Sequence, residues 1–215
     1  MTNTNNHYFE MDHEQKEGDC PVTLEFMRHI FGEQYELGLD YVQLLYQRSQ
    51  QILPVLCLVS IENSTGKSTF IKWLKAIFSN NCAIINKAEF FNIFNENWAT
   101  KRIIAFDEIS IERKFFEKIK AFSTEDKIFI HKRFCRPFEV DFFGKFVLTS
   151  SNEDFLISAS KKDIRYWVRK IPVPVDHKMN MLDEMIEEIP CFLHFLNRRE
   201  IALQRRTHFI YNYRN

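Results

Sequence analysis

The residues Gly66-Lys67-Ser68-Thr69 constrain the fold of this 215-residue chain more than any other feature of its sequence. They follow the apolar run ILPVLCLVS, which is typical of a strand buried on both faces of a parallel sheet. They open the segment KSTFIKWLKAIF, whose apolar residues have helical spacing. A glycine-lysine-serine segment between a strand and a helix predicts a loop whose backbone N–H groups bind phosphate.

This loop predicts a site for ATP and Mg²⁺. In such loops the lysine reaches the β- and γ-phosphates and the serine hydroxyl is a ligand of Mg²⁺. The residues expected to bind the nucleotide are Asn63, Ser64, Thr65, Gly66, Lys67, Ser68 and Thr69. Ile61 stands where the usual pattern has its first glycine. That glycine serves the turn out of the strand, whereas Gly66 lies where backbone approaches phosphate. We therefore expect a working loop if residues 62–65 turn differently; a decayed site is the alternative.

Strands and helices alternate along much of the chain, which predicts a parallel α/β sheet. Besides the helix after the loop, helices are predicted from Thr23 to Gly32, at about 34–48, around Phe90, Phe91, Phe94 and Trp98, at 112–123, and from about 179 to 200 with an interruption at Pro190. Strands are predicted at 52–60, 82–86, 102–110, 145–152 and 165–174. The segment KIFIHKRFCRPFEV has two alternating strands around a basic turn and predicts an inserted hairpin.

Polar residues follow two of the other predicted strands. Asp107 and Glu108 come at the end of the apolar run RIIAF. In phosphate-loop enzymes an acidic residue at such a strand end holds the Mg²⁺ shell, and an adjacent glutamate can polarise the attacking water. An acidic pair that caps the next helix is the alternative. Asn152 follows the run KFVLTSS, where its amide could orient water or the γ-phosphate, although asparagine is also common in turns.

Composition and charge exclude several other classes. The formal net charge is zero, so nucleic-acid binding would have to come from local basic patches. The five cysteines form no CxxC pair, which favours reduced thiols over a metal site or disulfides. The polar N-terminus lacks the apolar segment of a signal peptide, and no run approaches the ~18 apolar residues of a membrane span. We therefore expect no membrane contact and a cytoplasmic location, in a bacterium or a phage-infected cell.

Taken together, Gly66-Lys67-Ser68-Thr69, Asp107-Glu108 and Asn152 resemble motifs A, B and C of superfamily 3 helicases. The segments STGKSTFIKWLKAIF, DFFGKFVLTSSNED and DIRYWVRKIP are most similar to the helicase-type ATPase domain of phage and plasmid primase-helicases, a poxvirus-like relative of that group. The resemblance covers roughly residues 20–175. It implies an AAA+-like α/β core and a DNA helicase that hydrolyses ATP at the subunit interfaces of a hexameric ring.

The resemblance also implies roles for two basic segments. Ring helicases of this group have a hairpin before motif C whose tip projects into the central channel. The matching tip here is His131-Lys132-Arg133, which would contact DNA phosphates, and Phe134 could stack on a base. A solvated basic turn is the alternative. The group also has an arginine after motif C that one subunit supplies to its neighbour's γ-phosphate. Arg165 is our choice for it and Arg169, which could face the same side, is the alternative; if neither reaches a phosphate, both would pair with acids at the sheet edge.

The predicted organisation is a disordered leader at 1–19, N-terminal helices at 20–50, an ATPase core at 51–175 with an AAA+-like fold, and a C-terminal helical segment at 176–215. The predicted function is an ATP- and Mg²⁺-dependent DNA helicase, the replicative motor of a phage or mobile element, acting as a homo-hexamer on single-stranded or forked DNA. The catalytic residues would be Glu108, Lys67, Asn152 and Arg165, and the Mg²⁺ ligands Ser68 and Asp107.

Two other functions and one partner stay open. A small phosphate-loop kinase would suit the length but should lack a basic hairpin. A non-hydrolysing DNA-binding scaffold subunit would require that the nucleotide site has decayed at Ile61. No primase signature is present, so a primase would be a partner on another chain or in another region.

Overall fold

The computed structural model of the protein describes residues 13–110, 112–153, 163–174 and 180–201. Much of the predicted leader and the end of the predicted C-terminal segment therefore lie outside the described residues. The helices are α1 (Pro21–Phe31), α2 (Tyr35–Gln47), α3 (Lys67–Phe78), α4 (Lys87–Phe91), α5 (Arg113–Phe122), α6 (Met181–Glu187) and α7 (Ile189–Arg198). The strands are β1 (Val55–Val59), β2 (Cys82–Ile84), β3 (Ile103–Phe106), β4 (Lys127–Ile130), β5 (Phe138–Asp141), β6 (Lys145–Ser150) and β7 (Tyr166–Lys170).

Five strands form one parallel sheet in the order β2-β3-β6-β1-β7, which confirms the predicted α/β fold with flanking helices. Val59, the last residue of β1, pairs with Ser150 of β6 and Lys170 of β7. Phe106, the last residue of β3, pairs with Leu148. Because these strands run in the same direction and end nearly level, the segments that follow β1, β3 and β6 meet at the carboxyl end of the sheet.

The strands β4 and β5 are antiparallel and form the predicted hairpin, separate from the main sheet. The chain enters this hairpin from α5 and leaves it into β6, with three residues between Asp141 and the start of β6. Since β6 starts at the amino end of the sheet, the base of the hairpin lies near that end. Ile128 and Ile130 are buried on the inner side of β4 and attach the hairpin to the core.

Both faces of the sheet are buried, which explains why β1 reads as a continuous apolar run. Alternate residues of β1 belong to different clusters, with Leu56 and Leu58 on one face and Val55, Cys57 and Val59 on the other. Helices α1, α2, α3, α6 and α7 cover the first face, and α4, α5 and the hairpin cover the second. Much of the second cluster is aromatic, formed by Phe90, Trp98, Phe106, Phe115, Phe122, Phe142 and Phe146.

Two predicted helices differ from the structure. Helix α1 begins at Pro21 rather than Thr23, because proline suits the first turn and the N–H groups of Val22 and Thr23 donate to the Glu188 carboxylate at 3.1 and 2.7 Å. The helix predicted around Phe90 to Trp98 is α4 alone, which ends at Phe91. The Asn92 side chain accepts from the backbone N–H of Phe94 and turns the chain there.

The interruption predicted at Pro190 is confirmed, since α6 and α7 are separate helices and Pro190 lies in the first turn of α7. No helix within the described ranges is long and apolar enough to cross a membrane.

Candidate nucleotide site and DNA-contacting hairpin

The predicted phosphate loop lies between β1 and α3, at the carboxyl end of the sheet. Gly66 ends it in a left-handed conformation with φ +95°, which favours glycine. A Cβ atom at Gly66 would lie 3.0 Å from Cε2 of Phe26 and 3.3 Å from Cδ1 of Ile30. Helix α1 therefore packs directly under the loop, so that both the backbone angle and the space around it require glycine at this position.

The turn of the loop does not depend on a glycine at position 61. Within the described part of the chain, the non-glycine residues with positive φ are Ser64, Ser79, Glu108 and Phe134. The loop thus takes its left-handed conformations at Ser64 and Gly66. Thr65 is buried between them, and its carbonyl oxygen lies 2.9 Å from Nε2 of His29 in α1. Asn63 is exposed at the outer surface of the loop.

Lys67 is buried at the N-terminus of α3, and its side chain turns back over the loop. Its Nζ donates to the carbonyl oxygens of Ser60 and Glu62 at 2.9 and 3.0 Å. These carbonyls hold the ammonium group beside the loop. Thr69 lies one residue further into α3 than Ser68 and is half-buried.

Ser68 and Asp107, the predicted Mg²⁺ ligands, are in contact. Ser68 Oγ donates to Asp107 Oδ1 at 2.8 Å, joining the start of α3 to the end of β3. Thr149, the second-last residue of the buried strand β6, donates to the same Oδ1 at 2.8 Å. A serine hydroxyl, a threonine hydroxyl and a carboxylate thus converge at one point, although they come from three separate segments.

Glu108 has an unusual backbone. It is exposed and has φ +46°, a conformation that costs a non-glycine residue about 1–3 kcal/mol. Its N–H donates to Thr149 Oγ1 at 2.7 Å, and the next N–H, of Ile109, donates to the Thr149 carbonyl at 2.9 Å. Thr149 therefore holds Asp107 and Glu108 together, with the Glu108 side chain directed to the surface.

Glu108 borders an open cleft of about 480 Å³ at the carboxyl ends of β2 and β3. The cleft is lined by Ile84, Ile85, Asn86, Lys87, Glu89, Asp107, Glu108, Ile109 and Ser110. Lys87 donates to Ser110 Oγ at 2.9 Å and to Glu112 Oε1 at 2.8 Å, which fixes one wall of the cleft. The predicted acidic pair is thus accessible from solvent on one side and connected to the loop on the other.

Asn152 and Glu153 follow β6 beside the phosphate loop. Asn152 is exposed, and its N–H donates to Ser150 Oγ at 3.1 Å. Glu153 is buried, and its Oε1 accepts from the backbone N–H of Ile61 at 2.9 Å. Its Oε2 forms an ion pair with Lys170 Nζ at 2.6 Å. The hydrogen bond from Lys170, with a further contribution from the Ile61 N–H, lowers the pKa of Glu153 against the opposing effect of burial.

The predicted DNA-contacting residues lie at the hairpin tip. Lys132 and Arg133 are exposed and His131 is half-buried. Asn95 anchors the backbone at His131. The Asn95 side-chain Oδ1 accepts from the His131 N–H at 2.8 Å, and the Asn95 backbone N–H donates to the His131 carbonyl at 3.2 Å. Phe134 is fully exposed, with φ +61°. The tip therefore presents two cations and an aromatic ring to solvent on a fixed base.

Arg165 and Arg169 lie in different surroundings. Arg165 immediately precedes β7 at the amino end of the sheet, where its Nε and Nη2 each donate to the Asp163 carboxylate at 2.8 Å. The Asp163 carboxylate also pairs with Lys120 of α5 at 3.1 Å. Burial alone would raise the pKa of Asp163, but the hydrogen bonds from Arg165 and Lys120 hold it at about 2.

Arg169 is turned towards α1 instead. Its Nη2 donates to the Phe31 carbonyl at 2.6 Å, at the C-terminus of that helix, where a cation is favourable. Its Nη1 donates to Gln34 Oε1 at 3.3 Å. The two arginines thus do not face the same side, because the turn at Asp163 directs Arg165 towards α5.

Sequence reasoning missed three residues of this site. The only feature of the sequence that could have identified Thr149 is its polarity inside an apolar run, and for Glu153 it is the acidic charge next to Asn152. His29 gave no signal, because its contact with the loop depends on how α1 packs.

Comparison with solved structures shows a helicase-like fold. The C-terminal region of NrS-1 superposes with a TM-score of 0.75 at 16% identity, covering 98% of this chain and 51% of that one. A second apo structure of that region superposes with a TM-score of 0.74 at 15% identity, covering 99% of this chain and 55% of that one. JCV helicase superposes with a TM-score of 0.50 at 11% identity, covering 91% of this chain and 60% of that one. The chain thus spans about half the length of the NrS-1 region, and at these identities the likeness concerns the fold.

The chain belongs to the family described as "Family of unknown function (DUF5906)", which matches residues 58–165, just over half of its length. The match starts near the end of β1 and includes the phosphate loop, the acidic pair, the hairpin and β6. A comparison with curated proteins found no match.

Proposed function

We propose that the chain is the motor domain of a DNA helicase of the superfamily 3 type, which hydrolyses ATP with Mg²⁺ and moves along DNA as a homo-hexamer. The observation that carries the proposal is the 2.8 Å contact between Ser68 Oγ and Asp107 Oδ1, next to a glycine-ended loop at the N-terminus of α3. A serine and an aspartate so arranged in a phosphate-loop fold are suited to hold one Mg²⁺ beside bound phosphates.

The loop residues fit a nucleotide chemically. The N–H groups of the first turn of α3 have no partners further back in the helix and point towards the loop, where they favour an anion. Lys67 now donates to two neutral carbonyls. Charged phosphate oxygens are stronger acceptors, so nucleotide binding would turn the ammonium group from Ser60 and Glu62 to the β- and γ-phosphates.

The residues around Asp107 fit Mg²⁺ rather than a metal ion whose ligands are all protein side chains. Among the residues that the structure describes, no group of three His, Cys, Asp or Glu side chains could hold a metal ion. Mg²⁺ typically uses one or two protein oxygens, several waters and the substrate phosphates. Ser68 Oγ and an Asp107 carboxylate oxygen would serve, and Mg²⁺ would neutralise charge on the phosphates.

Glu108 would orient and polarise the attacking water, as the acidic residue next to the Mg²⁺ ligand does in related chemistry. Its strained backbone is held by Thr149, which keeps the carboxylate next to Asp107 and at the edge of the open cleft. Asn152 is exposed one strand away and would contact the water or the γ-phosphate.

Arg165 would act on the nucleotide of a neighbouring subunit. Its carbonyl accepts from Val55, the first residue of β1, so it lies one strand length from its own loop. β1 has five residues, which is about 16 Å in an extended strand and beyond the reach of an arginine side chain. A ring would bring the amino end of the sheet in one subunit to the nucleotide site of the next subunit. The Arg165 guanidinium would stabilise transition-state charge there.

The hairpin tip would grip DNA. Lys132 and Arg133 are exposed cations that suit phosphates without reading sequence, and Phe134 can stack on a base. The presence of this hairpin favours a helicase over a small phosphate-loop kinase. A primase on another chain remains a proposed partner.

Unwinding of a labelled DNA fork by the 215-residue chain with ATP and Mg²⁺ tests the proposal, with Lys67→Ala as the control. We expect ATP-dependent strand separation that the control lacks. DNA binding without any nucleotide dependence in an assembled ring would instead support a scaffold subunit, and phosphate transfer to a small acceptor would support a kinase.

A further inference from the structure

The start of the phosphate loop is fixed by a carboxylate from a neighbouring segment. The backbone N–H of Ile61, two residues past the end of β1, donates to Glu153 Oε1 at 2.9 Å. Glu153, which follows β6, is only 6% exposed. A buried carboxylate that accepts from a backbone N–H forms a stronger hydrogen bond than a neutral acceptor does. The loop is therefore tied to β6 at the very position where the usual glycine is absent.

The backbone of Ile61, and not its side chain, is what this contact uses. The Ile61 side chain is 68% exposed, so it contributes little to the core. Ile61 is not one of the described residues with a left-handed backbone, so glycine would bring no conformational gain at this position. What the loop requires here is an N–H group with a fixed acceptor.

This contact also reaches Lys67. The two carbonyls that hold Lys67 Nζ belong to Ser60 and Glu62, the residues on either side of Ile61. The Ile61 N–H and the Ser60 carbonyl belong to one planar peptide, so Glu153 fixes the first of these carbonyls directly. Release of Ile61 would therefore let Lys67 leave the position beside the loop from which it is expected to turn to the phosphates.

We propose that Glu153 is a positioning residue of the nucleotide site, which holds the loop in its binding conformation in place of the missing glycine. This rests on the proposed nucleotide-binding function. Its hydrogen bond and ion pair go to Ile61 and Lys170, and its charge also attracts Lys67, so its loss acts through the loop and the lysine that the loop holds. Apparent nucleotide affinity falls by the fraction of loops that leave the binding conformation.

Amide hydrogen exchange in the nucleotide-free chain tests the contact without any need for ATP. In Glu153→Ala we expect the Ile61 N–H to exchange roughly tenfold faster, because a charge-assisted hydrogen bond is lost. The Val55 N–H, which donates to the Arg165 carbonyl at the opposite end of β1, should be unchanged and reports on global stability. Equal exchange at Ile61 in native and variant chains would overturn the proposal.

Steady-state ATP hydrolysis then tests the role. We expect Glu153→Ala to raise KM for ATP roughly tenfold and to change kcat less than twofold, while Glu153→Gln, which keeps an acceptor for Ile61, raises KM less. Glu36→Gln removes another acidic partner of an ion pair, remote from the loop, and should change neither constant. Ile61→Gly should bring no gain in affinity. An unchanged KM in Glu153→Ala, or tighter binding in Ile61→Gly, would contradict the role.

Failure of this proposal differs from failure of the proposed function. A native chain that binds no ATP, like Lys67→Ala, would refute the nucleotide site as a whole. A native chain that hydrolyses ATP with a KM that does not depend on Glu153 would refute only the positioning role.

Discussion

The carboxyl end and the amino end of the sheet use their polar side chains differently. At the carboxyl end, Ser68, Asp107 and Thr149 donate and accept within one small network beside the phosphate loop. At the amino end, Arg165 is held by Asp163 and partly exposed. The first arrangement suits chemistry inside one subunit, and the second suits contact with another molecule. Changes at the carboxyl end should therefore affect the chemical step of the same subunit, whereas changes at the amino end should affect stability, association or the nucleotide site of a neighbouring subunit.

The largest expected effect is at the carboxyl end. Lys67→Ala removes the cation that would neutralise the β- and γ-phosphates, and we expect ATP turnover to fall about 100-fold or more. Phosphate release at saturating ATP measures this. Lys72→Ala, an exposed lysine of the same helix, is the matched control. Equal losses in the two variants would mean that Lys67 has no special role at the carboxyl end of the sheet.

Thr149→Val should reduce kcat about tenfold, because it removes a hydrogen bond to Asp107 and the acceptor of the Glu108 N–H while it keeps the side-chain shape. Single-turnover hydrolysis measures the chemical step. Thr124→Val, which removes an exposed threonine hydroxyl near α5, should leave the rate unchanged. A Thr149→Val enzyme with native kcat would show that the acidic pair needs no such support.

The hairpin, which leaves the sheet near its amino end, should affect DNA binding. Lys132→Ala with Arg133→Ala removes two exposed cations, and we expect affinity for single-stranded DNA to fall roughly tenfold at ~0.1 M salt, with a salt slope smaller by about 1.4. Fluorescence anisotropy over a salt series measures both. The double variant Arg48→Ala with Lys72→Ala removes the same charge elsewhere. If that control weakens binding equally, the effect is one of net charge and not of the hairpin.

The smallest expected effect is on stability, at Asp163. Its folded pKa of about 2 lies below its ordinary value of 3.8, so the ionised form stabilises the fold. Allowing for the partial exposure of Arg165, we expect Asp163→Asn to lower the free energy of unfolding by about 1–2 kcal/mol at neutral pH. The contribution is fully present above the unfolded pKa and disappears as pH falls through the folded value.

Urea unfolding at neutral pH and at about pH 3 measures this dependence, since the difference between native and variant chains should roughly halve between these conditions. Asp126→Asn, at an exposed aspartate before the hairpin, is the control. A pH-independent difference would mean that the ion pair does not stabilise the fold.

The sequence predicted the fold, and it predicted which residues lie together at the candidate site, because both depend on local patterns. The apolar runs of β1, β3 and β6, and the polar residues directly after them, imply by the geometry of parallel strands that Ser68 and Asp107 lie close together. The contact of Glu153 with Ile61 was not predictable in this way. It depends on the path of the chain after β6 and on a backbone N–H, which leaves no trace in residue type. The same holds for Arg169, whose partner at the end of α1 is set by packing.

The extent of α4 shows a limit of another kind. The spacing of Phe90, Phe91, Phe94 and Trp98 is helical, yet the Asn92 side chain competes with the helix for the backbone, and Trp98 reaches the core from a turn. Apolar periodicity alone could not distinguish a continuous helix from a short helix followed by a turn.

Phosphate release from ATP, with and without single-stranded DNA, compared between the native chain and Glu108→Gln, is the most direct test that the carboxyl end of the sheet is a working hydrolytic site. Oligomer size should be recorded in the same samples. We expect DNA-stimulated turnover in the native chain and a loss of about 100-fold or more in the variant, because the glutamine cannot polarise water. Native turnover equal to that of Glu108→Gln in an assembled ring would contradict the proposed motor.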